Sequence, residues 1–276
     1  MNVREVLKLN NFRFNKNLGQ NFLTDLNLLQ AIVADSGIGP DDTVVEVGTG
    51  AGTLTAAIAA KAKKVISFEV DKNLAPVLET TLAGIDNVTV VFKDILKMSD
   101  CDIEKICGGR FKVVANIPYY ITTTLIMKFV ESSLDIGSVT VMIQKEVANR
   151  LTADHNTGDY GAITMSVNLR GKASVTRTVS RNMFYPVPNV DSAVVHIEIL
   201  PDKFPGVDKE FTAKVIRSCF NMRRKTLQNN LISSFGITKE RAAEVLRICG
   251  FSPMIRGEAL SVEDVIRLAE ELKKLI

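Results

Sequence analysis

The strongest constraint on this chain is a rhythm that begins near residue 43. Short β-branched runs alternate there with longer amphipathic stretches: Thr43–Val47 (TVVEV), helical Thr53–Lys61, Lys64–Val70 (KVISFEV), helical Lys72–Leu82, then Val88–Phe92, Lys112–Ala115 and Val139–Gln144. Val- and Ile-rich runs suit strands buried on both faces, and their alternation with helices calls for a parallel sheet covered on both sides. Ala173–Val179 and Ala193–Ile199 are two further strand-like runs with no long helix between them, as expected of an antiparallel pair at the sheet edge. Two prolines within Pro201–Pro205 mark a linker. Beyond it lie four helical patterns, Lys209–Asn221, Arg224–Ser234, Lys239–Cys249 and Ser261–Lys274, the last opening with Ser261 as N-cap and Asp264 three residues on. The reading is α/β, with one domain over residues 1–200 and a smaller all-helical domain over 201–276.

Composition narrows the chemistry. With 276 residues, 46% hydrophobic and 24% charged, the chain can bury a sizeable core and is not disordered. No apolar run reaches the ~18 residues of a membrane span. The N-terminal MNVREVLKLNNFRFNK carries no signal-peptide core, which predicts a cytoplasmic protein with no membrane partner. Cys101, Cys107, Cys219 and Cys249 are scattered without a CxxC pair, so neither a disulfide framework nor a zinc site is expected, and no metal is implied. His155 and His196 lie in different segments and read as surface or structural residues, which disfavours a His-centred triad.

The first strand runs into Gly48-Thr49-Gly50-Ala51-Gly52, a G-x-G-x-G turn rather than the G-x-G-x-x-G dinucleotide fingerprint. Glycines there let backbone approach a ligand, although such a loop alone can be only a tight turn. Glu69 ends the second strand and can accept both hydroxyls of a ribose. Asp94 follows the third strand, where an acceptor can read an adenine amino group; either acid taken singly could be a helix cap or a solvated loop carboxylate. Ligand-facing positions at three successive strand ends point to an adenosine-type cofactor, either S-adenosylmethionine or NAD.

The fourth strand decides between them. It ends in Asn116-Ile117-Pro118-Tyr119, a tetrad suited to holding an exocyclic amine for alkylation. The lone pair of an aryl amine is delocalised into the ring and is a poor nucleophile. The Asn116 side-chain oxygen and the Ile117 carbonyl can each accept one N–H, favouring a geometry in which that lone pair points at a methyl donor. Pro118 stiffens the turn and Tyr119 can stack on the base. No metal or strong base is needed, because the nitrogen becomes acidic once alkylated.

These motifs resemble the KsgA/RsmA family of rRNA adenine dimethyltransferases along nearly the whole chain. Leu18-Gly19-Gln20-Asn21-Phe22-Leu23 is similar to the family's N-terminal cofactor motif, and Phe184-Tyr185-Pro186-Val187-Pro188-Asn189-Val190-Asp191-Ser192 matches its F-x-P-x-P-x-V-x-S pattern. The resemblance implies a Rossmann-like S-adenosylmethionine-dependent methyltransferase domain, with S-adenosylhomocysteine as product. It implies cofactor binding by Gln20, Asn21, Leu23, Gly48, Gly50, Gly52, Glu69, Asp94 and Asn116, and catalysis by Asn116, Ile117, Pro118, Tyr119 and Phe184. Phe184 would face Tyr119 across the target adenine. The implied substrate is a pair of adjacent adenines in a hairpin loop near the 3′ end of 16S rRNA, within the small ribosomal subunit, acted on by a monomer with a part in subunit biogenesis. Where the family usually has Asn-Ile-Ser-Thr after the tetrad, this chain has Tyr120-Ile121-Thr122-Thr123, which bears on the shape of the adenine pocket. The Erm-type 23S rRNA methyltransferases share the cofactor loop and tetrad. Cys219–Leu231, similar to the F-x-x-R-R-K-T-L-x-N signature of KsgA/RsmA, separates the two. A non-catalytic ribosome-assembly factor keeping the fold is the remaining alternative.

A net charge of +3 is a poor match for an RNA partner until it is located. Between Lys214 and Arg247 eight Lys/Arg face two acids, a local +6 that leaves −3 elsewhere. Arg217, Arg223, Arg224 and Lys225 in this stretch are the candidate phosphate contacts, with Arg4, Lys8, Arg13 and Lys16 as candidates to extend the surface from the N-terminus.

Overall fold

The computed structural model describes residues 3–15, 18–222 and 224–276. In chain order the elements are α1 (Val3–Leu9), β1 (Phe22–Leu23), α2 (Leu26–Asp35), β2 (Thr43–Val47), α3 (Thr53–Ala59), β3 (Lys64–Phe68), α4 (Ala75–Thr81) and β4 (Val88–Val91). There follow α5 (Asp100–Cys107), β5 (Phe111–Asn116), α6 (Thr122–Val130), β6 (Ile136–Gln144), α7 (Lys145–Leu151), α8 (Ala162–Arg170), β7 (Gly171–Val179), β8 (Phe184–Tyr185) and β9 (Ser192–Ile199). Four helices close the chain: α9 (Lys209–Cys219), α10 (Leu227–Phe235), α11 (Lys239–Ile248) and α12 (Val262–Lys273).

The chain divides into two compact units, one of Met1–Ala148 with Ala173–Ile199, the other of Asn149–Lys172 with Leu200–Ile276. The segment 149–172 therefore falls with the C-terminal helices, not with the region 1–200 in which the sequence pattern groups it. The reason is packing: Met165 and Leu169 of α8 are buried in one cluster with Val215, Leu231, Val265 and Leu272.

The first unit is built on a seven-stranded sheet of order β4-β3-β2-β5-β6-β9-β7. β4, β3, β2, β5 and β6 pair in parallel, and β9 runs antiparallel to β6. Alternate strand residues point to opposite faces, yet Val44 and Val45, Val65 and Ile66, and Val113 and Val114 are all fully buried. Both faces are thus covered, which is why these strands read as continuous apolar runs. The strand order reverses between β2 and β5, the switch point at which an open α/β sheet offers a crevice to a ligand. β9 pairs with β6 and has β7 beside it at the edge, as the two late strand-like runs led one to expect.

A second sheet, two residues per strand, pairs β1 with β8 so that Phe22 opposes Tyr185 and Leu23 opposes Phe184. The N-terminal segment is held there by aromatic edges: Phe14 meets Phe22 at 5.7 Å and Tyr185 at 5.6 Å between ring centroids, and the Arg4 guanidinium lies 4.6 Å over Tyr185.

In the second unit α12 starts as expected, with Ser261 Oγ accepting from Asp264 N and Asp264 Oδ2 accepting from Ser261 N. Buried Asn230 shapes the turn between α9 and α10, donating from Nδ2 to Cys219 O (3.0 Å) and accepting at Oδ1 from Met222 N (3.1 Å). Gly257 presses on the same turn, since a Cβ there would lie 2.4 Å from Cys219 O, a backbone atom that cannot swing aside. Gly257→Ala is expected to lower stability by about 2 kcal/mol through overpacking. Urea unfolding measures it, and an unchanged midpoint would contradict the contact.

Candidate active site

The carboxyl ends of β2, β3, β4 and β5 open onto a cavity of ≈ 300 Å³. Of the residues singled out in the sequence, Gln20, Asn21, Leu23, Gly48, Gly50 and Glu69 line it. So do Asp94, Asn116, Ile117, Pro118, Tyr119 and Phe184. Gly52 does not. Its absent side chain faces α4 instead, where a Cβ would come within 3.0 Å of Leu78 Cδ2, so this glycine serves helix packing. Gly50 has the close approach that the loop requires: its φ is +55°, and a Cβ would lie 3.1 Å from the Phe22 ring.

Glu69 is tied to the loop. Its Oε2 accepts from Gly50 N at 2.9 Å and its Oε1 from Val70 N and Asp71 N at 2.8 and 2.9 Å. Burial raises its pKa, against the pull of those three N–H groups, and the neighbouring Asp71 charge adds to the rise. Oε1 is thus filled by two donors, and Oε2, with one, keeps lone-pair capacity for a ligand hydroxyl. Asp94 serves as a cap: Oδ1 accepts from Leu96 N at 3.0 Å in the turn after β4, while Oδ2 lies 3.7 Å from exposed Lys97.

Gln20 is committed at both ends of its amide, donating to Asp71 Oδ2 (2.7 Å) and accepting from Asn15 N (2.9 Å). It clamps the N-terminal segment over the end of β3. Asn21 lends its carbonyl to Asn116, whose Nδ2 donates to Asn21 O at 3.1 Å. That bond fixes which way the Asn116 amide is turned and leaves Oδ1 with no partner among the described residues, an acceptor ready for a donor. Ile117 N is spent on Met142 O, which holds the next peptide in place. The Pro118 ring lies against two glycine backbones, 3.8 Å from Cβ positions built at Gly19 and at Gly48.

Phe184 and Leu23 are buried in the cluster that includes Val114 and Met142, so Phe184, 1% exposed, is at once core residue and cavity wall. Tyr120, 61% exposed, stands at the rim. Burial and the negative charges of Asp94 and Glu69 raise its pKa, and its ring lies 3.5 Å from where a Cβ at Gly19 would stand. His196 bonds Thr140 across β6 and β9 and is structural.

Glu46 is the residue that sequence reasoning passed over. It sits in β2 two positions before Gly48, lines the cavity and is 1% exposed. Its Oε2 accepts from Thr55 Oγ1 (2.6 Å) and Ser67 Oγ (2.7 Å), and Oε1 has no partner. Because Ser67 spends its proton on Glu46, Thr49 must donate to Ser67 across their 2.7 Å contact. The available signal was a carboxylate inside an otherwise apolar strand.

A family model described as ribosomal RNA adenine dimethylase matches residues 11–274. The chain belongs to the ribosomal RNA adenine dimethylase family. The ribosomal RNA small subunit methyltransferase A of Enterococcus faecalis is 44% identical over 283 residues, covering 99% of this chain and 95% of that protein. The protein of the same name from Clostridioides difficile is 40% identical over 265 residues, covering 95% and 92%. Among solved structures, a dimethyladenosine transferase from Plasmodium falciparum superposes with a TM-score of 0.78 at 26% identity, covering 92% of this chain and 98% of that one. The 23S rRNA methyltransferase ErmE gives 0.68 at 28%, covering 91% and 99%.

As a ribosomal RNA adenine dimethylase the chain is an S-adenosylmethionine-dependent methyltransferase acting on rRNA, with a Rossmann-like catalytic fold. The cavity fits that cofactor on its own terms. It offers a glycine cradle that a side chain at 50 would obstruct, acidic acceptors at the ends of β3 and β4, and an orphaned buried oxygen on Glu46.

Burial pushes the Glu46 carboxyl from its ordinary 4.5 up to about 8, with the Glu69 charge adding to the rise. The folded state therefore holds a proton that the unfolded chain releases between those values. Stability from the neutral form is full below pH 4.5 and is lost as pH rises through about 8. Glu46→Gln removes this dependence. Over that window wild type is expected to lose up to about 5 kcal/mol relative to the variant. Urea midpoints of the two proteins at pH 5.5 and 8.5 measure it, and parallel pH profiles would contradict the assignment.

Proposed function

We propose that the chain dimethylates N6 of two adjacent adenines in a hairpin loop near the 3′ end of 16S rRNA. It works as a cytoplasmic monomer on the small ribosomal subunit, with a part in subunit biogenesis. The observation that carries the reading is the Asn116 amide at the end of β5, pinned through Nδ2 with Oδ1 left open beside Tyr119.

The cofactor supplies an electrophilic methyl group on a sulfonium sulfur. Glu69 would accept a ribose hydroxyl at Oε2, and Asp94 would receive the adenine amino group on the oxygen not spent on Leu96. Gly48 and Gly50 bring the backbone close, Gln20 and Asn21 close the N-terminal side, and Leu23 forms wall. At the acceptor end, Asn116 Oδ1 and the Ile117 carbonyl take the two N6–H groups of the target base, which lies between Tyr119 and Phe184. Catalysis comes from orientation and from hydrogen bonds strengthened in a water-poor cavity. No side chain need act as base, since N6 sheds its proton once alkylated.

The small-subunit assignment is supported by the relatives of that name matched over nearly all of their length, and by Cys219–Leu231. Arg217, Arg224 and Lys225 are exposed in the second unit and take RNA phosphates; Arg223, grouped with them by sequence, lies outside the described residues, as does Lys16. In the first unit the Arg4 guanidinium is engaged on Tyr185.

Asn116→Ala is expected to abolish methyl transfer while rRNA affinity stays within about threefold, because a single hydrogen bond to the base is removed. Methylation of undermodified small subunits, with the modified nucleotides mapped, reads both the reaction and the site. Transfer at normal rates by Asn116→Ala would end the mechanism, and methylation confined to 23S rRNA would favour the Erm-type reading. Arg224→Ala with Lys225→Ala should weaken rRNA binding and make its salt dependence shallower by about 1.5 in log–log slope. An unchanged slope would remove these two from the interface.

A further inference from the structure

We propose that Ser192 is a positioning residue for the methyl transfer, holding the Tyr119 ring in place against the target base. The inference rests on the reading of Tyr119 as the stacking partner of that base. The Tyr119 hydroxyl and Ser192 Oγ lie 2.8 Å apart. Ser192 is fully buried, and Tyr119 is its hydrogen-bonding partner on the side-chain oxygen.

The anchor is rigid because of where Ser192 sits. It is the first residue of β9, opposite Gln144 in the antiparallel ladder with β6. The residue before it is fixed as well: Asp191 O accepts from Lys145 N at 3.1 Å, and its carboxylate accepts from Arg181 N at 3.0 Å. At its other end Tyr119 follows Pro118 directly after β5. The side chain is therefore held at both ends of its long axis. It can spin about that axis but cannot swing away from the base. Burial and the Asp191 charge also keep the phenol protonated, against the weaker pull of Ser192.

The restraint matters most for the second transfer. In each transfer the N6 lone pair forms the new N–C bond as the sulfonium S–C bond breaks, and one N6 proton leaves to solvent. After the first, only one N6–H remains for Asn116 Oδ1 and the Ile117 carbonyl. Stacking must then carry more of the placement, and a Tyr119 free to swing lets the base drift out of line.

The test uses the full-length protein on undermodified small subunits, with mono- and dimethyladenine quantified by nucleoside mass spectrometry. Ser192→Ala and Tyr119→Phe are each expected to lower kcat about tenfold, the effect of one lost buried hydrogen bond, and to raise the monomethyl fraction severalfold. Cofactor affinity by calorimetry should not change, and the double variant should be no worse than either single one, because both remove the same bond. An unchanged monomethyl fraction in either single variant, losses that multiply in the double, or a parallel loss of cofactor affinity would overturn the role. Tyr119→Ala separates this from the reading beneath it. If that variant transfers methyl normally, stacking by Tyr119 is wrong. If it is inactive while Ser192→Ala is silent, the positioning role alone fails.

Discussion

The parallel register of β3, β2 and β5 is the constraint on which the cavity depends. Glu46 pairs with Ser67 on one side and Val114 on the other, so the three strands end level with one another. A slip of one residue would turn Glu46 and Ser67 to opposite faces and break the hydroxyl network beneath the glycine loop. Because the strands do end level, Gly48, Glu69 and Asn116 emerge within reach of one ligand although they are spread over some seventy residues of chain. Gly48 N donating to Phe68 O at 2.8 Å and Ile117 N to Met142 O at 3.2 Å carry the ladder a step past the strand ends. The loops thereby start from fixed backbone rather than from frayed ends.

The same place tolerates two buried carboxyls because they are satisfied by different means. Glu69 receives three backbone N–H groups, a donor set that supports an anion and shapes the loop at once. Glu46 receives two hydroxyls on one oxygen and nothing on the other, too little to hold a full charge at 1% exposure. One acid can thus remain ionised beside another that gains by staying neutral. Had both been fitted with backbone donors, two negative charges would face each other across adjacent strands at a high cost in desolvation.

What was legible in the sequence was local. Each of β2 to β6 is announced by its own run of Val and Ile, and the tetrad and glycine loop are contiguous, so their position at strand ends follows from counting. What was not legible is long-range. β1 and β8 have two residues each, too few for any period, and their pairing of Phe22 with Tyr185 joins distant parts of the chain. α8 carries an apolar face that matches either unit in the sequence, and only its packing with Val215 and Leu231 decides the matter. Gly52 looks like its neighbours in the G-x-G-x-G loop, but a helix turns its backbone away from the cavity and toward Leu78. Tyr120 departs from the family's usual residue, and its place at the cavity rim beside Gly19 joins parts of the chain a hundred residues apart.

The same distinction governs the charge. A net +3 is a sum over the whole chain, whereas phosphate attraction decays within about 8 Å at physiological salt. Only clustered, exposed cations can be felt by an RNA backbone, and the turn after α9 is where the chain clusters them. Asn230 and Gly257 have no charge, yet the turn owes its shape to the amide bonds of one and the missing side chain of the other. In the proposed function phosphate contacts place the RNA without reading it, and base selection falls to the cavity at the strand ends. The two demands are opposed in character. A phosphate surface must be exposed and forgiving, while a methyl-transfer site must be buried and fixed, and the proposed function assigns them to two separately cored units.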